Sequence, residues 1–294
     1  MPSAPQSRQS HATHERHRRI NAGSCFGYAA HVPAIALSVG NRSVTRSCIF
    51  CGRTADSIEH AWPQWLTAKF VSNGTMHSQI GPDAAEKSWP IKRPEVRIRC
   101  VCEVCNGGWM SSLEQRAIPI ITPMLAGSNY TLEAGDCKSL SLWAVKTAMV
   151  LEPINPAVPA GFSDLDRTLL SAKEIIPAFT RVWIAKCQEW PTIYTESRAM
   201  STGDRAISGR ATTIAFGHFA IQVLRIVVPD TVDPGTNITV EERDAQSWNE
   251  AAVQIWPPRS LRISWPATLG ILGEYGLDEF SRRFSPPDSK RSRR

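Results

Sequence analysis

Hydrophobic positions are few and unpatterned over residues 1–46, where Ser, Arg, His and Ala dominate and only Val32 to Val39 forms a short apolar run. Such a stretch cannot bury enough apolar surface to offset its ordering entropy, and it predicts a mostly disordered segment. The pattern changes at Ser47. CIFCGRTADSIEHAWPQWL, from Cys48 to Leu66, predicts two short strands and then a helix with Pro63 in its first turn. Trp65, Leu66 and Phe70 form the apolar stripe of that helix. Residues 71–94 contain Gly74, Gly81, Pro82, Pro90 and Pro94 and predict a long irregular insertion. EVRIRCVC, from Glu95 to Cys102, alternates polar and apolar residues as a half-buried strand does. GGWMSSLEQRA follows, with a helix expected to end before Pro119.

Beyond residue 126 the periodicity changes again. LSLWAVKTAMVLE has the spacing of a helix with Leu142, Val145 and Met149 on one side. Arg181 to Cys187, Thr212 to Phe216 and Phe219 to Val228 read as strands. No repeat of fixed period is visible, and Arg282 to Arg294 is a low-complexity basic stretch. The expected fold class is α+β: a disordered segment at 1–46, a small module at 47–126, a separate α+β domain at 127–280 and a disordered basic tail at 281–294.

Composition narrows this picture. With 42% apolar and 20% charged residues in 294, the chain has the balance of a globular protein of about two domains. No apolar run approaches the roughly 20 residues that cross a bilayer, and nothing near the N-terminus resembles an export signal, so a cytoplasmic protein without membrane contact is expected. The net charge of +6 is uneven. Residues 1–46 hold six arginines against Glu15 alone, and residues 281–294 hold six Lys/Arg against Asp288 alone. Each end is therefore +5 and the body −4, so a nucleic-acid partner would be met by a local groove and by the tails, not by a broadly basic surface.

Four of the eight cysteines form two Cys-x-x-Cys pairs, Cys48/Cys51 and Cys102/Cys105. In a reducing compartment this arrangement points to metal, and four thiolates in two knuckles suit a closed tetrahedral structural Zn²⁺ site. Cys100 stands beside the second pair as a competing ligand, whereas Cys25, Cys137 and Cys187 read as buried apolar filler. His11, His14 and His17 recur at three-residue spacing in a segment without supporting apolar residues, a poor platform for a metal.

Between the knuckles lies Glu59-His60-Ala-Trp-Pro63; after the second come Asn106, Trp109 and Glu114. The order Cys-x-x-Cys, acidic-His-x-x-Pro, Cys-x-x-Cys-Asn-x-x-Trp resembles the HNH endonucleases, specifically the zinc-stapled treble-clef members with a ββα-metal core. The match covers roughly 70 residues, about a quarter of the chain. The resemblance implies that His60 is the general base that deprotonates the attacking water. It implies that Glu59 and Asn106 help hold a catalytic Mg²⁺ or Mn²⁺ ion, Asn106 being the last member of the motif on the helix. The substrate would be nucleic acid, DNA in the leading reading. Phosphodiester hydrolysis needs a base that exchanges protons near neutral pH and a hard cation to offset charge gathering on the phosphate.

The sequence departs from the family pattern in the middle. Arg97 stands where an Asn that orients the base is usual. Either Asn73 or His77 of the insertion replaces that contact, or Arg97 meets the phosphate itself, or activity is reduced or lost. Glu114 is either a carboxylate supporting the site or a surface residue. Trp62, Trp65 and Trp109 read as core of a small metal-clasped fold in preference to base-stacking platforms. His218 fits a hairpin turn and Arg259 a solvated loop. Two other classes remain open: a non-catalytic zinc module that binds nucleic acid or protein, and a structural zinc domain of a larger assembly.

Overall fold

The computed structural model describes residues 46–69, 74–78, 87–91, 95–154, 156, 158–188, 193–201, 207–232, 240, 242, 245–269, 271–272 and 274–284. The disorder expected for residues 1–45 and 285–294 lies outside these, as do Cys25, the three N-terminal histidines, Phe70, Asn73 and the His77 side chain.

The chain enters through a loop closed by a bridge between Ser47 and Thr54, then forms β1 (Ser57–His60) and the short α1 (Gln64–Thr67). The stretch expected to be irregular contains a hairpin, β2 (Gly74–Ser78) against β3 (Lys87–Ile91), paired from Gly74↔Ile91 to Ser78↔Lys87. Pro90 does not forbid it, because a two-stranded ribbon consists only of edges and an edge tolerates one missing N–H. β4 (Arg97–Val101) returns antiparallel to β1, with Glu59↔Ile98 and His60↔Arg97 in register and a bulge between Ser57 and Glu59. α2 (Glu103–Cys105) opens with Cys102 Sγ accepting from the Cys105 amide at 3.4 Å. A turn over Asn106–Met110, broken at Gly108 (φ −93°, ψ −109°), leads into α3 (Ser111–Leu125).

α3 does not end before Pro119: it runs through Pro119 and Pro123. Each proline removes an N–H from the ladder, but Ala117, Ile120, Ile121 and Met124 are buried, and that packing carries the helix past the breaks. β5 (Tyr130–Glu133) delivers the chain to α4 (Ala134–Leu151), whose N-terminus is held by a reciprocal capping box of Glu133 and Asp136. α4 is not one-sided. Every residue from Leu140 to Leu151 is buried, the condition of a helix enclosed on all sides.

After α5 (Asp164–Lys173) the chain builds β6 (Thr180–Cys187), β7 (Ile193–Ser201), β8 (Ser208–Phe216) and β9 (Phe219–Val227). α6 (Ala245–Ala251), β10 (Ala252–Trp256), β11 (Arg262–Trp265), β12 (Ile271–Leu272) and α7 (Glu274–Arg282) complete the described residues. The sheet runs β10-β6-β9-β8-β7, antiparallel throughout, with β12 added parallel to β6. β11 pairs with β5. Gly217 (φ 52°) and His218 make the two-residue turn between β8 and β9.

Residues 281–284 belong to the fold, not to a tail. Leu277, Phe280 and Phe284 are buried along one helical face, and the Arg283 guanidinium lies 4.4 Å from the Trp183 ring centre and 4.5 Å from those of Phe280 and Phe284. The main buried cluster runs without a break from Cys48, Phe50 and Trp62, through Ile121 and Trp143, to Val223 and Trp265. Residues upstream and downstream of position 126 thus contribute to one apolar interior. The architecture is mixed α+β, and none of the described helices is long and apolar enough to cross a membrane.

Candidate functional site

The first element of the site is the sulfur cluster. The ligand atoms of Cys48, Cys51, Cys102 and Cys105 all lie within 4.8 Å of one another. A tetrahedron of sulfurs about 2.3 Å from zinc has edges of about 3.8 Å, so the group matches the size of the expected ion. Cys51 Sγ and Cys102 Sγ are 3.5 Å apart, far beyond the ~2.05 Å of a disulfide, and the cysteines are free. Four thiols this close can hold a metal ion such as zinc. Burial resists ionisation of Cys48, but backbone hydrogen bonds from Phe50, Cys102 and Cys51 outweigh it and lower its pKa. Burial raises the Cys51 and Cys105 thiols.

Cys100 does not join the cluster. It is buried two residues away, and burial, helped by the Glu59 charge, pushes its thiol up to about 12. Cys137 and Cys187 are buried and isolated, as apolar filler should be.

Strand alternation separates the dipeptide that follows. On β1, Ser57 and Glu59 point inward and are buried, while Ile58 is exposed and His60 half-buried. Glu59 and His60 nevertheless meet one cleft of about 320 Å³, because the chain turns immediately at Pro63. Pro63, Gln64, Trp65, Glu103, Asn106, Gly107, Ser111 and Glu114 complete its lining. Asn106 reaches it from the turn before α3, and its Nδ2 donates to Ser57 Oγ (2.9 Å) and Ile58 O (3.4 Å). Asp56 Oδ1 accepts from the Glu103 amide at 2.8 Å, fixing the start of α2 against the approach to β1.

The partner of the His60 ring is Gln64, whose amide lies 3.1 Å from Nε2. Sequence reading looked to position 97, and in its place to Asn73 or His77, for that contact and missed Gln64, although a residue four positions on, at the first turn of a helix, is within reach of the ring. Arg97 instead pairs with Glu95 at 2.6 Å, with its side chain 56% exposed.

Lys146 was also missed. It projects from the middle of α4, only 1% exposed, and its Nζ lies 2.9 Å from Glu114 Oε1 and 3.4 Å from Glu59 Oε1. Burial works against its charge, yet the carboxylates of Glu114 and Glu59 outweigh burial and raise its pKa. Burial raises the Glu59 pKa; Lys146 opposes the shift, and the neighbouring Glu114 charge adds to it. The signal was in the sequence: a lysine inside the apolar stretch from Leu140 to Leu151 must have an acidic partner.

Of the tryptophans, Trp62 is buried and its Nε1 donates to Thr195 Oγ1 on β7 at 3.0 Å, while Trp109 meets Phe50 edge-to-face with ring centres 4.9 Å apart. Trp65 faces the cleft. His218 Nδ1 lies 2.8 Å from Cys187 O in its turn, and Arg259 is exposed, both remote in sequence from the cleft. Comparison with family models, curated proteins and solved structures returned no match.

Proposed function

We propose that this protein is a metal-dependent endonuclease of the HNH type that hydrolyses phosphodiester bonds of DNA. One observation carries the reading: Glu59, His60 and Asn106 share a single open cleft, next to four sulfurs spaced for a structural ion. A core histidine kept for packing would have no reason to line a cavity with two carboxylates behind it.

His60 is the base in this reading. The structure presents the Gln64 amide nitrogen to the ring, 3.1 Å from Nε2; turned over, so that its oxygen accepts from Nε2–H, the amide leaves the lone pair on Nδ1 for a water in the cleft. Gln64 then does the orienting work that an Asn at position 97 would do. Glu59 and Glu114, with the Asn106 amide oxygen, are hard oxygen donors and fit Mg²⁺ or Mn²⁺, not a soft ion. When bound, such an ion supplies positive charge against the phosphate and the leaving oxygen.

The charge of the cleft supports the need for a cation. Glu59, Glu103 and Glu114 line it and, among the described residues, Lys146 alone pairs with them, so a phosphate would be repelled from the bare protein. Arg97 stands opposite His60 in register, and in this reading its guanidinium would meet the backbone of a bound strand. The four cysteines would hold Zn²⁺ without touching substrate, since four thiolates leave no open position.

The test is nicking of supercoiled plasmid with Mg²⁺ or Mn²⁺, comparing the natural protein with His60→Ala. The variant should lose at least about a hundredfold in rate, the scale of a general base, with zinc content unchanged. Equal rates in both proteins, at equal folding, would remove the proposal. Salt-dependent DNA binding without cleavage under either ion would favour a non-catalytic binding module instead.

A further inference from the structure

Unlike the residues that line the cleft, all at or before Glu114, Lys146 comes from the downstream part of the chain and is enclosed away from solvent. It is enclosed in α4 between Val145 and Thr147, both buried. A methionine would fill much the same volume on this helix without the cost of enclosing a charge. A lysine stem is also long enough to carry its ammonium toward water, yet this one ends between two carboxylates. Both of those carboxylates line the cleft. The groups facing it from the surrounding elements are Glu59 on β1 and Glu114 on α3, with Glu103 on α2 and His60 at the rim.

We propose that Lys146 is a positioning residue that sets the charge of the cleft floor. Its ammonium cancels one of the two charges of Glu59 and Glu114 and ties Glu59 by Oε1, so that this pair presents one net negative charge to a divalent cation, beside that of Glu103. This rests on the metal-dependent reading above, and it makes the cation affinity of the cleft a property of α4 as much as of the knuckle module.

Full-length zinc-loaded protein, titrated with Mn²⁺ while free Mn²⁺ is followed by electron paramagnetic resonance, tests this without any need for cleavage. Even at the dielectric of water, a unit charge about 6 Å from a doubly charged ion changes binding roughly tenfold. Lys146→Met leaves two negative charges on the Glu59/Glu114 pair and should bind Mn²⁺ about tenfold more tightly or better. Glu114→Gln leaves none on that pair and should bind about tenfold more weakly or worse. Lys146→Met combined with Glu114→Gln restores a net charge of one and should return within about threefold of the natural protein, which also keeps the test alive if the single lysine variant does not fold.

A lysine kept only for the fold would change the folded fraction and leave this ordering flat. Unchanged affinities, shifts of both single variants in one direction, or no Mn²⁺ binding by the natural protein would each overturn the proposal. The predicted ordering in a protein that nicks no plasmid would uphold Lys146's role and remove the nuclease reading.

Discussion

Removing an ion held by the four cysteines should unfold the knuckle module before the sheet. Among the described residues from Cys48 to Met110, the large buried apolar side chains are Phe50, Trp62, Leu66, Val96, Val101 and Met110. At about 1.5–3 kcal/mol each they contribute roughly 9–18 kcal/mol. Ordering a backbone residue costs about 1–2 kcal/mol, so a module of this length cannot stand on those six side chains. A structural zinc contributes about 10–16 kcal/mol in isolated zinc-finger peptides, as much as the whole stability of an ordinary domain. Without the ion, burial opposes ionisation of Cys51 and Cys105, and the sulfurs lose the attraction that gathers them. The assay is zinc content by mass spectrometry, followed by thermal unfolding of holo- and chelated protein watched by tryptophan fluorescence and circular dichroism. One zinc per chain is expected, with chelation producing an early fluorescence transition as Trp62 and Trp109 meet water while strand signal persists. If even about 5 kcal/mol is lost, the shift is roughly 10–20 °C for a protein of this size. A metal-free preparation, or melting curves within about 1 °C of each other, would refute the reasoning.

Two further outcomes test the frame around the site. Trp62→Phe keeps most of the buried ring but removes the 3.0 Å bond from Nε1 to Thr195 Oγ1; it should cost about 1–2 kcal/mol in denaturant unfolding, and a neutral result would mean that this link to β7 carries no stability. Arg116 donates through Nη1 to Glu174 Oε2 at 3.2 Å and pairs through Nη2 with Oε1, and these bonds lower the Glu174 pKa. A depressed carboxylate stabilises the fold above its unfolded pKa and loses that contribution as pH falls through the folded value. Arg116→Gln should therefore lower stability at neutral pH and converge with the natural protein in acid. The gap should stay under about 1 kcal/mol because both side chains are more than 40% exposed, and a gap that widens in acid would contradict the sign.

The local chemistry was readable because its spacing is local. Two Cys-x-x-Cys pairs name their own partners, and Glu59-His60 names a carboxylate and an imidazole side by side. β4, β6, β8 and β9 followed from alternation or apolar runs. What escaped is what tertiary contact decides. α3 passes two prolines because α4 packs along it, and no window of sequence shows that support. α4 looked one-sided because its apolar residues were counted on one stripe, whereas the fold encloses every face. The β2–β3 hairpin was hidden by prolines that an isolated ribbon tolerates, and Arg283 looked like tail because its three aromatic neighbours lie far apart in sequence or in the same basic stretch. Gln64 and Lys146 escaped for one reason: each is defined by the group it meets, His60 in the one case and two carboxylates 87 and 32 residues away in the other.

The arrangement around Glu59 also explains why a motif so short depends on so much chain. A strand can present one neighbour of a dipeptide inward and the other outward, so β1 offers a sheltered carboxylate and a reachable imidazole at no cost in backbone strain. The sheltered one cannot remain charged beside a second carboxylate in an apolar interior without a cation of its own. No residue of the knuckle loops provides that cation at Glu59: Arg97, the nearest basic residue in register, faces the other way and pairs with Glu95. α4 does provide it, and α4 is held in place by the sheet behind it. A substitution that shifts α4, such as trimming a buried side chain between it and β9, would then change the charge at the cleft without touching any residue that lines it.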